Sequence, residues 1–158
     1  MKAILALIVI LIIAAVVVVF FILGGSDDEE GGEAAVAVQV KNADNLGAIH
    51  IELVYDAAIL EASEVKPGDL GENGQVDYDL ATPGRVVIGI IDAMGMNGSG
   101  DIVVVSFNEK KSGRSQLNLE NVTATDAETL YDLVAVTSSG SIDTEEGTSK
   151  APAINLGP

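Results

Sequence analysis

The chain has 158 residues and carries 24 acidic against 8 basic side chains, which gives a formal net charge of -16. A surface this acidic repels phosphate backbones, so nucleic acid is excluded as an expected partner. There is no cysteine, which excludes disulfides, thiolate metal sites and a cysteine nucleophile. With no Trp and only three Phe and three Tyr, the chain offers few aromatic platforms for sugars.

The N-terminal residues 3–23 form one uncharged apolar run that ends in bulky side chains, Phe20 to Leu23. As an α-helix this run would be about 32 Å long, which is enough to cross the hydrocarbon core of a bilayer. A cleaved signal peptide is the alternative, although its apolar region is normally shorter and is followed by small residues at the cleavage site. A buried helix of a soluble domain is a third interpretation. We expect a retained membrane anchor at residues 1–23.

Charges on the two sides of this run predict its orientation. Lys2 precedes it, whereas four consecutive acidic residues, 27–30, follow it. By the positive-inside rule the N-terminus is cytoplasmic, so the protein is predicted to be a single-pass membrane protein with an extracellular β-domain. Residues 24–33 are acidic and rich in glycine, which is typical of an extended linker.

After the linker, short runs rich in Val and Ile alternate with turn residues every 8 to 12 positions, the pattern of an all-β sandwich. Val36, Val38 and Val40 alternate with more polar residues, as in a strand with one buried face. In the next run, Ile49, Ile51 and Leu53 share one face, which places Ala48, His50 and Glu52 on the exposed face. Eight or nine strands are predicted, at residues 36–40, 49–55, 59–65, 75–80, 86–91, 102–107, 116–123 and 133–142.

Turn residues separate these strands, notably at 42–47, 66–69, 82–84 and 95–100. Residues 86–91 and 102–107 are apolar on both faces, so we expect them to lie centrally or to face a contact surface. Residues 126–131 are interpreted as a short helical turn or a loop. Beyond residue 142 no periodic apolar face remains, and residues 143–158 are predicted to be a disordered tail.

The order of these segments resembles the cohesin domain, the receptor module of cellulosome scaffoldins. The most specific element is Tyr55-Asp56 at a strand end, followed by Ile59-Leu60-Glu61 and then the corner Lys66-Pro67-Gly68-Asp69. The resemblance covers residues 34–142. The resembling segments are 36–42, 46–70, 76–93, 98–110, 117–130 and 134–142.

The resemblance implies a jelly-roll β-sandwich of nine strands that binds a protein partner of dockerin type. Cohesins open with an extra strand before the one that here starts at Val36, and in this chain the linker and the apolar run take its place. In well-known cohesins an Asn and an Asp, two residues apart on the third strand, hydrogen-bond the partner. Ala48 and His50 hold those places here.

Seven residues are predicted to contact the partner. His50 and Glu52 lie on the predicted exposed strand face, and the strand end at Asp92 with its loop corresponds to the border of the dockerin-binding face in the family. The predicted contact residues are His50, Glu52, Tyr78, Asp92, Met94, Met96 and Asn97.

No enzyme is expected, because no set of residues supplies a nucleophile, a base and an orienting group together, and His50 is the sole histidine. Asp77 and Asp79 alternate on one side of a strand, but in so acidic a chain a solvated pair is the simpler interpretation. No metal site and no cofactor are expected in the chain itself, and calcium would enter only through a dockerin-type partner.

The predicted function is that of a membrane-anchored extracytoplasmic protein-binding module in cell-surface assembly linked to polysaccharide degradation. Two alternatives remain open. One is a structural or adhesive domain of the cell envelope, which the loss of the polar residue at Ala48 would allow. The other is a carbohydrate-binding module, with Tyr78 or Tyr131 as the aromatic contact.

Overall fold

The computed structural model describes residues 31–157, and within them the chain is built from strands and turns without a helix. No helix among these residues could therefore cross a bilayer. The membrane helix predicted for residues 3–23, and the linker as far as residue 30, lie outside the described residues. The strands are β1 (Glu33–Val54), β2 (Leu60–Pro67), β3 (Gln75–Asp79), β4 (Arg85–Glu109), β5 (Arg114–Asp126), β6 (Asp132–Leu133), β7 (Ala135–Ser138), β8 (Gly140–Asp143), β9 (Thr148–Lys150) and β10 (Ala153–Leu156).

Two long antiparallel strands, β1 and β4, organise the fold because each of them contributes to both layers of the sandwich. The second half of β1 and the first half of β4 form the centre of one layer, with β3 beside β4 and β5 beside β1. We call this layer the front sheet. The other halves form the centre of the back sheet, with β2 beside β4, and with β10 and then β7 beside β1.

The strands change layer at corners that the sequence marks with turn residues. In β1 the register with β4 shifts between Val40 and Ala48, and Asn42 and Asn45 adopt positive φ angles of 56° and 54°. Asn tolerates this left-handed conformation better than most residues. The predicted turns at 42–47 and 95–100 are therefore bends and bulges within continuous strands. The predicted strands 36–40 and 49–55 are the two halves of β1, and the predicted strands 86–91 and 102–107 are the two halves of β4.

The core lies between the two sheets and follows the predicted alternation. Val36, Val38 and Val40 are buried in the first half of β1, and Ile49, Ile51 and Leu53 are buried in the second half. Phe107 from the back sheet meets Tyr55 in an edge-to-face contact with ring centroids 5.1 Å apart. The two-sheet sandwich predicted from the period-two pattern is confirmed.

The predicted disordered tail at residues 143–158 is wrong where the chain forms β9 and β10. Residues 148–150 pair with β8, and residues 153–156 form β10, which lies between β1 and β7. Ile154 and Leu156 are buried in the core, at 0% and 2% exposure. Four residues are too few to show a period, so this strand could be identified only from its long-range pairing.

Candidate functional site

The outer surface of the front sheet, called the front face from here on, presents side chains in rows that run across β3, β4, β1 and β5. Such rows arise because directly opposed residues of paired strands point to the same side of a sheet. The first row, nearest to the corners of β1 and β4, consists of Gln75, Ile91, Ala48 and Thr125. The second row consists of Asp77, Gly89, His50 and Thr123, and the third row of Asp79, Val87, Glu52 and Glu120.

A shallow depression of about 370 Å³ lies across the first two of these rows. Gly89 is at its centre, and a Cβ atom built on Gly89 would meet no atom within 4 Å. The absence of a side chain in mid-strand leaves room for another chain to approach the backbone closely. Ile91 borders the depression and is 63% exposed, so it offers an apolar contact point there.

Below the depression, an ion-pair network crosses the third row. The Arg85 guanidinium contacts both Glu52 and, at 3.5 Å, a carboxylate oxygen of Glu120. His50 Nε2 lies 3.8 Å from the other carboxylate oxygen of Glu52. Glu52 is only 17% exposed, and its contact with Arg85 places a positive charge beside this largely covered carboxylate.

The front face has the chemistry of a recognition surface. Asp77, Thr123 and Thr125 supply hydrogen-bonding groups around the depression. Within residues 31–157 no side-chain hydrogen bond joins His50 to a Ser or Thr hydroxyl, and no group of three His, Asp or Glu side chains converges as a metal site would require. The arrangement can hold a partner by shape, hydrogen bonds and charge.

Two of the predicted contact residues, His50 and Glu52, lie on the front face as the alternation indicated. The side chain of His50 is 42% exposed and lines the depression, whereas Glu52 is largely covered through its pairing with Arg85. Ala48 is the neighbour of His50 in the row above. The two positions that correspond to the family's partner-contacting pair therefore do point outward.

The loop at residues 92–95 bulges out of β4 at the corner end of the front face. Asp92 is half-buried and accepts a hydrogen bond of 2.8 Å from the backbone N–H of Met94, which shapes the loop. The side chain of Met94 is 88% exposed. Both residues are thus close to the depression, with Met94 as the one that is free to touch a partner.

The structure places three other predicted contact residues differently. Tyr78 pairs with Ile88 on the opposite side of β3 from the front face, and it is 43% exposed because β3 is the outermost strand of the front sheet among the described residues. The prediction of Met96 as a contact residue is wrong. Met96 pairs with Leu46 and is 4% exposed, so it packs inside the corner.

Asn97 is exposed, but its amide is occupied by the corner itself. Its Oδ1 accepts a hydrogen bond of 2.9 Å from the backbone N–H of Asn45, and its Nδ2 donates one of 3.1 Å to the carbonyl of Gly95. These bonds tie the bends of β1 and β4 together. Asn97 therefore braces the corner from which Met94 projects.

Several residues of the depression escaped the sequence reasoning. Gln75, Thr123 and Thr125 come from β3 and β5, which the sequence could identify as strands but could not assign as neighbours of β4 and β1. Ile91 carried a signal, because alternation from buried Ile90 places it on the outer face of an apolar strand.

The comparisons with known proteins agree with this architecture. A family model described as the cohesin domain matches residues 19–144, which includes β1 to β8 and ends before β9 and β10. Among curated proteins, no sequence matches the chain.

Three solved structures with a similar fold have low sequence identity to this chain. A non-cellulosomal cohesin from the hyperthermophilic archaeon Archaeoglobus fulgidus is 23% identical, with a TM-score of 0.58 over 80% of this chain and 81% of that chain. A type I cohesin–dockerin complex from Clostridium thermocellum gives 16% identity and a TM-score of 0.58 over 80% and 89%. The sixth cohesin of scaffoldin B from Acetivibrio cellulolyticus, solved with a dockerin, gives 16% and 0.56 over 79% and 88%. At these identities the likeness shows the fold.

Proposed function

Because this chain belongs to the cohesin domain family, we propose that its β-sandwich is a protein-binding module whose front face binds a dockerin-type partner. The observation that carries the proposal is the open depression around Gly89, bordered by the exposed side chain of Ile91. Exposed apolar side chains with hydrogen-bonding groups around them are the usual anatomy of a protein interface.

Charge defines what the partner must present. The rows of the front face contain Asp77 and Asp79 on β3 and Glu120 on β5, and Arg85 is already engaged with Glu52 and Glu120. The matching surface of the partner is therefore rich in Lys, Arg or neutral donors around an apolar side chain that meets Ile91.

The positions of Ala48 and His50 make the expected contacts differ from those of well-known cohesins. Ala48 has no polar group, and His50 can donate a hydrogen bond where an Asp only accepts one. A carbonyl or carboxylate oxygen of the partner can therefore be bound opposite His50, where an ionised Asp would repel it or leave it unbonded. A dockerin adapted to the usual Asn and Asp pair would fit this face poorly.

The cellular setting is part of the proposal. Residues 3–23 have the length and composition of a membrane anchor, and the charge bias around them favours display of the sandwich outside the cell. Solved cohesins with this fold include one described as non-cellulosomal and others bound to dockerins. From these features we infer that the protein takes part in assembly at the cell surface, including the assembly of polysaccharide-degrading proteins.

The decisive experiment fills the depression without disturbing the fold. Gly89→Leu places a side chain where a Cβ meets nothing, so the variant should fold normally. We expect at least a tenfold loss of affinity for a dockerin-bearing protein captured by the full-length chain in detergent, measured with and without calcium. A single well-placed clash at the centre of an interface has this effect.

The matched control is Ala35→Leu, an equivalent change at an exposed position of the back sheet, which should bind like the wild type. Wild-type affinity in Gly89→Leu would refute the front face as the binding surface. If no dockerin-bearing protein binds in either condition, the dockerin assignment is wrong and a structural or adhesive role becomes the better explanation.

A further inference from the structure

A second apolar surface lies on residues 130–136, at the side of the front sheet where β6 pairs with β5. Leu130, Tyr131, Val134 and Val136 are 74%, 76%, 71% and 59% exposed. We call these four side chains the flank strip. Seven consecutive residues span at most about 20 Å, so the four side chains lie close together along the chain. Exposed apolar clusters of this kind commonly mark interaction sites.

The fold presents this strip as the chain passes from one layer to the other. β6 adds to β5 at the side of the front sheet, and β7 pairs with β10 in the back sheet. Leu133 and Ala135 pack against the core. Because side chains alternate along extended chain, Val134 and Val136 must point outward.

Leu130 is held outward by a backbone conformation that leucine rarely adopts. Its φ angle is 59°, and it ends a turn in which Asp126 Oδ1 accepts hydrogen bonds from the backbone N–H groups of Glu128, at 2.9 Å, and Thr129, at 2.6 Å. A branched apolar residue in this conformation is strained, and such strain is concentrated at functional sites.

The strip also borders an unpaired strand edge. Among the described residues β7 pairs with β10 alone, so its other edge forms no strand ladder. An open edge can accept an added strand, with backbone hydrogen bonds on one side and side-chain contacts on the faces. Natural proteins usually protect such an edge with charged residues, yet β7 carries Val136 and no charge.

The charges around the flank strip indicate which charge a binding partner should carry. Between residues 115 and 149 the chain has seven acidic residues and no Lys, Arg or His. Asp132 and Glu128 are exposed beside the strip. A second copy of this chain, or an anionic membrane surface, would bring like charges together at this site.

We propose that the flank strip and the open edge of β7 bind an extended, apolar segment of a partner protein that is flanked by Lys or Arg residues. The segment adds as a strand to β7, its apolar side chains cover Val134 and Val136, and its basic ends meet Asp132 and Glu128. The strip shares no residue with the front face, and the two surfaces are neighbours where Asp132 pairs with Thr125 of the depression.

The probe for this test is a ten-residue peptide, Lys-Lys-Val-Thr-Val-Thr-Val-Thr-Lys-Lys, added to the full-length chain in zwitterionic detergent. We expect saturable binding that weakens at least tenfold in Val134→Thr/Val136→Thr. The same loss is expected when the terminal Lys residues are replaced by Glu, or when the central Val is replaced by Pro, which cannot pair as a strand. Val104→Thr on the back sheet is the matched control and should bind normally.

Leu130→Asn separates binding from stability. Asn accepts the left-handed conformation, so this variant should be at least as stable as the wild type while its affinity for the peptide falls. A residue with a merely structural role would not show this combination. Absence of saturable binding, equal binding by the double variant, or self-association of the chain that the double variant abolishes would each overturn the proposal.

Discussion

Ile154→Ala tests whether the last strand is an integral part of the sandwich. Ile154 is fully buried and lies in β10, between β1 and β7 of the back sheet. Truncation to Ala removes its outer carbons from the core and leaves a cavity. Such changes at buried Ile and Leu residues cost about 2–5 kcal/mol, a large part of the roughly 5–15 kcal/mol by which a domain is stable.

The measurement is urea unfolding of the full-length chain in detergent, followed by β-sheet circular dichroism. With a slope of about 1–3 kcal/mol per molar urea, the midpoint should fall by roughly 1–2 M. Ile91→Ala is the matched control, because the same atoms are removed from a side chain that is 63% exposed. Its effect should stay within about 0.5 kcal/mol. An Ile154→Ala midpoint equal to that of the wild type would refute the placement of β10 in the core.

Two further predictions concern charged groups. Arg85→Ala should lower the free energy of unfolding by about 1–3 kcal/mol, because the largely covered Glu52 carboxylate loses its cation. Adding Glu52→Gln to Arg85→Ala should recover part of this loss. Additive effects in the double-mutant cycle would contradict the ion-pair network. Hydrogen bonds from the backbone N–H and the hydroxyl of Thr129 hold the pKa of Asp126 below its ordinary value. This carboxylate therefore stabilises the fold at pH values above its pKa in the unfolded state, and that stability is lost as the pH falls through its lowered pKa in the folded state. Asp126→Asn should melt at a lower temperature than the wild type at neutral pH and at the same temperature in strong acid. An equal difference in melting temperature at both pH values would contradict this prediction.

The sequence predicted the candidate site in part. Alternation about Ile49 and Ile51 was sufficient to place His50 on an outer face, since the period of a strand is two wherever it lies in the fold. Met96 was wrong as a contact residue because its burial depends on how a corner packs, and the register of β3 places Tyr78 on the other side of that strand from the front face. The depression itself draws residues from four strands, and no local pattern records which strands are neighbours.

For this protein, the sequence alone determined that residues 34–142 form strands with one buried face and where the chain bends, and the order of its segments resembles the cohesin domain. Tertiary structure decided that two of the predicted turns are bends inside β1 and β4, and that the final residues form β10. The physical reason is that a strand of four residues such as 153–156 is stable only when the edges of β1 and β7 pair with it. Whether such a segment is a tail or part of the core therefore depends on partners far away in the chain.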